Sequence, residues 1–400
     1  MKDNRSLATI FLIVFIDLFG FGIILPLLPF IAEKYHATPF HVGLLTASYS
    51  LFQLIASPIL GRLSDRYGRK KVLVLSQLGT MFGFLLLGFA RSLPLLFISR
   101  IIDGATGGNI SVAQAYIADI TDKKNRAKGM GILGAAFGLG FILGPALGGV
   151  LSRISFSTPA FVAAGVSFVS IIATSFMLKE TINTKKSIKT NKTKLTISKF
   201  LESFKKQPIG FLMVVFLLQN LAFAGMQSNF ALWTERTFSY GPSENGTIFA
   251  FIGIMSVVTQ LILLPRLVRL IGERKMLAGG LLFLSIGLLF LPYVIWPWMI
   301  YISVFFLSIG NGLSNPSLQA IASENVEKEE YGEVLGMLQS SGSVGRIVGP
   351  VMAGFLFDVY GKNIPFISSG IITLFIFGLV LQFLPRSGSV FSRAASKIRG

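Results

Sequence analysis

The chain has 400 residues, of which 52% are hydrophobic and only 14% charged, against roughly 25% charged for a typical soluble domain. Its mean hydropathy is +0.69 and it carries 37 Phe and 42 Gly. This composition excludes an ordinary soluble enzyme, a nucleic-acid-binding domain and a disordered chain. With no Cys and only His36 and His41, disulfides, thiolate chemistry and a multi-His metal site are not expected.

Long apolar runs recur in chain order near 7–30, 42–60, 72–90, 94–118, 129–152, 159–178, 209–232, 244–264, 276–295, 297–321, 333–356 and 364–385. Each is long enough to cross a hydrocarbon core of roughly 30 Å as a helix. The fold class expected is therefore an all-α membrane protein with twelve transmembrane helices. The first run is too long for a signal-peptide core and lacks a small-residue cleavage site, so it is expected to stay in the mature protein.

The net charge of +18 is a matter of location. With the N-terminus inside, 29 of the 36 Lys and Arg fall in inner loops, linker and tails. Five outer loops hold one each, at Lys34, Arg91, Arg153, Arg236 and Lys362, and Arg100 and Arg346 lie within spans. That bias places both termini in the cytoplasm, with the cell (inner) membrane as the expected location. It also accounts for the basic balance without nucleic acid.

Lys179–Gln207 carries nine Lys and divides the chain. The expected organisation is a six-helix bundle over 1–178, a basic cytoplasmic linker over 179–208, and a second six-helix bundle with its tail over 209–400. The halves repeat. Gly140, Gly144, Pro145 and Gly149 recur 205 positions on as Gly345, Gly349, Pro350 and Gly354, and Gly68 recurs 204 positions on as Gly272. Two halves of the same membrane sense imply a pseudo-twofold along the membrane normal, and rocking about a shared cavity.

Gly61-Arg-Leu-Ser-Asp-Arg-Tyr-Gly-Arg-Lys-Lys71 is the sharpest local signal. Its basic residues fit an inner loop, but not the spacing of Gly61, Asp65, Arg66, Gly68 and Arg69. The two glycines allow a tight turn or a close helix approach. The stretch resembles the signature loop of the Major Facilitator Superfamily, and the resemblance runs along the whole chain. Arg100-Ile-Ile-Asp-Gly104 is similar to a motif of the family's fourth span. Gly134–Gly149 is similar to the fifth-span motif of drug/proton antiporters. There Gly140, Gly144 and Gly148 form a stripe for close helix approach, and Pro145 favours a kink. The resemblance implies that this helix, Gly149 included, packs on its counterpart in the other half and seals one face against proton leak.

Phe15–Pro29, with its acid Asp17, resembles the first span of tetracycline/proton antiporters and related multidrug exporters. Departures are visible. Gly83 stands where tetracycline exporters carry an acid, and spans 8 and 9 lack a His and an acid. A broader exporter of lipophilic compounds fits better than a tetracycline exporter.

Charges at bilayer depth are costly and face protein or a water-filled cavity. Asp17, Asp103 and Arg346 lie about 15, 14 and 20 Å into spans 1, 4 and 11 at the helical rise. Asp17 is the first candidate for proton coupling and Asp103 the second. For Arg100 and Asp103 a structural pair is an equal alternative. Arg346 either pairs with an acid or attracts an anionic substrate. Neutral polar residues outline a candidate cavity: Asn109 and Gln114 in span 4, Gln219, Asn220, Gln227 and Asn229 in span 7, and Asn311, Asn315 and Gln319 in span 10. Interhelical hydrogen bonding is their rival role.

The function expected is proton-coupled export of small lipophilic or cationic compounds by alternating access, in a monomer. No catalytic residue, metal or cofactor is expected, and the proton gradient is the driving force. The alternatives are transport of a sugar, lipid or other metabolite, including by symport, and a membrane receptor or sensor without transport.

Overall fold

The computed structural model describes residues 4–121, 126–181, 197–326 and 330–383. Most of the basic linker (182–196) and the C-terminal tail (384–400) lie outside the described residues. The described chain is helical: α1 (Asn4–Ile24), α2 (Leu28–Glu33), α3 (Pro39–Tyr67), α4 (Arg69–Gly88), α5 (Leu93–Thr106), α6 (Asn109–Ile120), α7 (Arg126–Leu151), α8 (Thr158–Met177), α9 (Ile197–Ser203), α10 (Ile209–Phe238), α11 (Pro242–Val258), α12 (Leu264–Phe290), α13 (Met299–Glu324), α14 (Tyr331–Tyr360) and α15 (Ile364–Phe383). Among the described residues nine stretches are long and apolar enough to span a membrane. One of them, Pro242–Tyr293, is 52 residues long and holds two spans. Its division falls at Gly272, where φ is 77° inside α12. The fourth span is broken into α5 and α6, and α13 supplies the tenth. Among the described residues the helices follow the apolar runs in chain order, with α5–α6 and α13 at the fourth and tenth runs.

The structure moves several ends. The first span stops at Ile24, and Pro29 opens the separate short helix α2. Proline fixes φ and lacks the N–H that a continuing helix needs. Span 2 runs on through the signature sequence to Tyr67 before Gly68 turns the chain at φ 108°. Gly272, its repeat partner, is likewise left-handed, a region that side chains with a Cβ avoid.

Large apolar side chains face outward in stripes. On α4 and the residue that caps it these are Leu75, Phe82 and Phe89; on α7, Leu139, Leu143 and Leu147; on α8, Phe161, Phe168 and Phe176, the last 85% exposed. Apolar surface of this extent is stable against lipid, not against water.

By contacts the chain forms two compact units. One comprises Met1–Lys194, Gly225–Ile254 and Arg346–Pro365; the other comprises Leu195–Ala224, Met255–Gly345 and Phe366–Gly400. The first holds a core of Ile10, Ile13, Leu73, Val112, Tyr116 and their neighbours. The second is built on Leu212, Phe216, Leu281, Leu318, Leu338 and Ile376.

Candidate functional site

Within the first unit the intramembrane charges converge on one side chain. The Tyr49 hydroxyl on α3 lies within electrostatic reach of Asp103, Arg100, Asp17 and Arg346. Close approach of α3 and α5 makes this possible: a Cβ on Gly104 would sit 2.4 Å from the Tyr49 carbonyl oxygen. Arg100 and Asp103, one turn apart on α5, pair at 3.2 Å, with the side chains 3% and 5% exposed. Thr80 of α4 hydrogen-bonds to Asp103, and the Arg100 guanidinium stands 5.8 Å from the Phe84 ring. Gly83 of α4 gives Asp103 its room. A Cβ there would meet the Asp103 Cβ at 3.0 Å. The Asp103 carboxylate of the facing helix thus lies beside Gly83.

The break in span 4 sets the other half of the site. Gly107-Gly108 ends α5, and Gln53 of α3 donates to the Gly107 carbonyl at 3.2 Å while its amide also meets the Tyr49 hydroxyl at 3.0 Å. Asn109 then opens α6, and its side chain hydrogen-bonds to Asp17. Among the described residues the Asp17 Oδ2 and the Asn109 Oδ1 find no hydrogen-bond partner, and neither do Nε and Nη2 of Arg100. A small, mainly apolar cleft adjoins these groups, lined by Phe21, Ile24, Leu25, Leu28, Pro29, Thr46, Tyr49, Ser50, Arg100 and Ser228.

The remaining candidates separate. In the first unit Asn229 donates to the Ser228 hydroxyl at 2.9 Å, Gln227 is half-buried and Gln114 is exposed. In the second unit Gln219 donates to Ser314 at 2.7 Å and to Asn311 at 3.3 Å, joining α10 to α13. Asn220 bonds the Phe216 carbonyl one turn back, and Gln319 bonds Asn315. Most of these amides are thus engaged by side chains or backbone of their own unit.

The signature loop forms a charge knot. Arg69, 6% exposed, reaches Asp65 at 2.5 Å and Asp119 of α6 at 3.0 Å, and donates to the Ser64 hydroxyl at 2.6 Å. Its backbone N–H donates to Glu180, just after α8, at 2.8 Å. Gly68 is needed twice, for its positive φ and because a Cβ would strike the Glu180 carboxylate. Gly61 differs from the close-approach reading. It sits inside α3 and a Cβ there would meet nothing within 4 Å. Arg66 is exposed beside Tyr67.

The span 5 stripe packs otherwise than the resemblance implies. Gly140, Gly144 and Gly148 lie against α1, where a Cβ on Gly148 would come within 2.3 Å of the Ile23 carbonyl oxygen. The next face of α7 meets span 8, not span 11. Gly149 adjoins Pro242 and Gly246, and Gly246 adjoins the Pro145 carbonyl. The i, i+4, i+8 glycines make a flat groove for the nearest helix of their own bundle, where the Pro145 ring also lies beside Gly22, while the Pro145 carbonyl and Gly149 meet α11.

At the end of this unit away from the N-terminus, polar contacts close the seam. Arg236 of α10 pairs with Glu33 at 3.3 Å and stacks 4.9 Å from Phe357. Asp358 accepts from the Phe40 N–H at 3.0 Å, Lys362 donates to the Arg236 carbonyl at 3.0 Å, and Arg153 donates to Ser243 at 2.7 Å. Burial, with the Glu235 carboxylate beside it, pushes Glu33 above the usual carboxylate range despite Arg236.

Sequence reasoning missed Tyr49, Gln53 and Thr80. The signal was present: Tyr49 and Gln53 stand four apart in an apolar span and share a helix face.

The sequence profile of the Major Facilitator Superfamily matches residues 10–269 and 236–399. The chain belongs to the Major Facilitator Superfamily. It is 32% identical over 362 residues to the class H tetracycline resistance protein of Pasteurella multocida, covering 89% of this chain and 90% of that one. To multidrug resistance protein 2 of Bacillus subtilis it is 30% identical over 389 residues, covering 95% and 96%. The crystal structure of the human organic anion transporter MFSD10 (TETRAN) superposes with a TM-score of 0.72 at 23% identity, over 95% of this chain and 100% of that one, a likeness of fold. The protein is a multi-pass membrane transporter of the drug-exporting branch.

Proposed function

We propose that this facilitator exports small lipophilic or cationic compounds in exchange for protons, with Asp17 as the group that carries the proton. The observation that supports this most is the meeting of Asp17, Asp103, Arg100 and Arg346 around Tyr49, with one oxygen of Asp17 unpartnered. A carboxylate so placed holds a proton or a substrate cation, and the two exclude each other, which couples the fluxes. The relatives' names, tetracycline and multidrug resistance proteins, agree with such a cargo.

In this reading the halves 1–178 and 209–400 rock about the cavity, with 179–208 and both termini in the cytoplasm of the inner membrane. The seam of Glu33, Arg236 and Asp358 is then the external one. The transporter works as a monomer and needs no cofactor or bond chemistry, since the proton gradient supplies the energy. Proteoliposomes under an imposed pH gradient test it. Gradient-driven accumulation of tetraphenylphosphonium is the expected result. Saturable movement of a single metabolite instead would establish metabolite transport, and binding without flux would establish a sensor. For orientation, Ser243→Cys in this Cys-free chain should react with an impermeant thiol reagent from outside intact cells.

A further inference from the structure

The repeat that relates the two halves exchanges charges at the end of span 8. Arg62 and Gly68 recur 204 positions on as Arg266 and Gly272, but at that shift Asp65 becomes Arg269 and Arg69 becomes Glu273. The cation that joins two carboxylates in the first half is thus an acid in the second, and its partner one turn back is an arginine. Glu273 lies within electrostatic reach of another acid, Glu324 at the end of α13. Arg266 and Arg269 stand three apart on one face of α12, about 4.5 Å along its axis. Among the described residues neither guanidinium has an ion pair or a hydrogen-bond acceptor. Their neighbour Arg274 is held by the Leu381 carbonyl at 2.9 Å.

Both arginines are exposed, and so is the apolar surface on either side of them. Leu261 and Ile262, before Arg266, are 70% and 44% exposed; Leu270 and Ile271, just after Arg269, are 77% and 44% exposed. Apolar surface of this extent stands against lipid. The apolar boundary therefore reaches past the arginines as far as Leu270, and the two charges form an island within it. Like charges three apart on a helix repel each other, and the repulsion is stronger where water is scarce. This face lacks an anion. The stretches 182–196 and 384–400 carry five and four Lys or Arg and no Asp or Glu, so neither brings a counter-charge.

We propose that this face of α12 binds an anionic phospholipid, with its phosphate between Arg266 and Arg269 and an acyl chain along Leu261 and Ile262. Guanidinium forks match phosphate oxygens. Leu261 lies about 8 Å from Arg266 along the helix, so headgroup and chain meet their partners in the order a bilayer lipid presents them. A zwitterionic lipid brings its own cation with the phosphate and gains less from two arginines. The first half offers no such face, since Arg69 is engaged by Asp65 and Asp119, and Arg62 by the Pro58 carbonyl at 3.2 Å. Such a site needs only the membrane-spanning fold, whatever the cargo or the coupling ion.

The test equilibrates the full-length protein with equal amounts of dioleoyl phosphatidylglycerol and dioleoyl phosphatidylcholine in mixed micelles, and counts the retained lipids by native mass spectrometry. Wild type should retain phosphatidylglycerol in roughly tenfold or greater preference, the scale of two basic side chains at a membrane surface. Arg266→Gln with Arg269→Gln should lose that preference. Arg62→Gln with Arg66→Gln, which removes two exposed charges from the corresponding loop of the first half, should keep it. Arg269→Asp restores the first-half acid at its repeat position and should also lose the preference, which decides the matter should the double Gln variant insert poorly. Equal retention of the two lipids by wild type overturns the proposal and leaves the arginines to solvent or to Glu327 and Glu329 of the next inner loop. An equal loss in Arg62→Gln with Arg66→Gln overturns it as well, because total positive charge would then suffice. Displacement of phosphatidylglycerol by millimolar inorganic phosphate would make this a site for free anions and overturn the lipid assignment.

Discussion

A Cβ added to Gly246 would come within 2.6 Å of the carbonyl oxygen of Pro145. Pro350, the repeat partner of Pro145, meets span 2 in the same way: a Cβ on Gly43 would come within 2.3 Å of its carbonyl oxygen. Around them Gly149 adjoins Pro242 as Gly354 adjoins Pro39. Span 5 of the first half thus meets span 8 of the second as span 11 of the second meets span 2 of the first. Such reciprocity is what a pseudo-twofold demands of a shared interface. No side chain fits between these backbones, so the two seams close as contacts between helix surfaces without compressible atoms.

Gly246→Leu should therefore destabilise this closed seam. Forcing a side chain into a packed contact costs about 1–3 kcal/mol, enough to shift a conformational balance by about 5- to 150-fold. A Thr46→Cys reporter on the cleft wall should label faster from outside in the Gly246→Leu background. An unchanged labelling rate would show that the seam yields without cost.

The glycines of this interface were visible in the sequence, but their partners were not. The stripe at Gly140, Gly144 and Gly148 announces close packing, yet spacing alone cannot say which helix arrives. Twelve spans were legible because lipid imposes a minimum apolar length. The break at Gly107-Gly108 was not, since a dipeptide inside an apolar run is compatible with a continuous membrane helix. Asp17 and Asp103 stood out by the cost of a charge at depth. Thr80 stayed hidden because a threonine hydroxyl in a span usually bonds its own backbone, and Tyr49 because an aromatic ring in a span reads as packing or lipid contact. Only the packing of α3, α4 and α5 shows otherwise. Fourth-span and seventh-span amides looked alike in sequence, but Asn109 meets an acid while Gln219 meets a serine and an amide.

Asp17→Asn keeps the shape of the side chain and its contact with Asn109, but cannot ionise. It should insert normally and lose uphill export, since no proton is bound and released at that position. Downhill movement of a neutral compound should persist, while a cationic compound should lose affinity. Accumulation ratios in proteoliposomes check this. Wild-type accumulation by the mutant, with unchanged pH dependence, would transfer the role to Asp103.

The charge knot predicts an ordering of mutants. Arg69 serves two carboxylates directly, and Arg69→Gln leaves both without their cation, a loss of up to about 3–5 kcal/mol for a buried pair and less for these partly exposed partners. Arg69→Lys keeps the charge but loses the fork that reaches Ser64 and Asp119 at once. Glu180→Gln retains an oxygen for the Arg69 N–H and should be mildest. Turnover at normal expression should fall in that order, Arg69→Gln most. An Arg69→Gln protein with wild-type turnover would reduce the motif to a topology signal.

The seam of Glu33 and Arg236, external in the proposed orientation, should respond to pH. Burial and Glu235 raise Glu33 above its ordinary carboxylate value of 4.5 in the closed arrangement, against the pull of Arg236. Opening would return it to water and to that ordinary value. The closed form therefore binds the proton more tightly, and linkage gives the sign. Closure is favoured fully at pH below the ordinary value, and this contribution is lost as pH rises through the raised one. The facing groups are Glu235 and Arg236 of α10, with Lys362 and Asp358 near the same helix end. External labelling of Thr46→Cys, taken relative to a Glu33→Gln background at each pH to cancel thiol ionisation, should slow as the medium is acidified from neutral. A flat ratio across that range would show that Glu33 does not change environment when the seam opens.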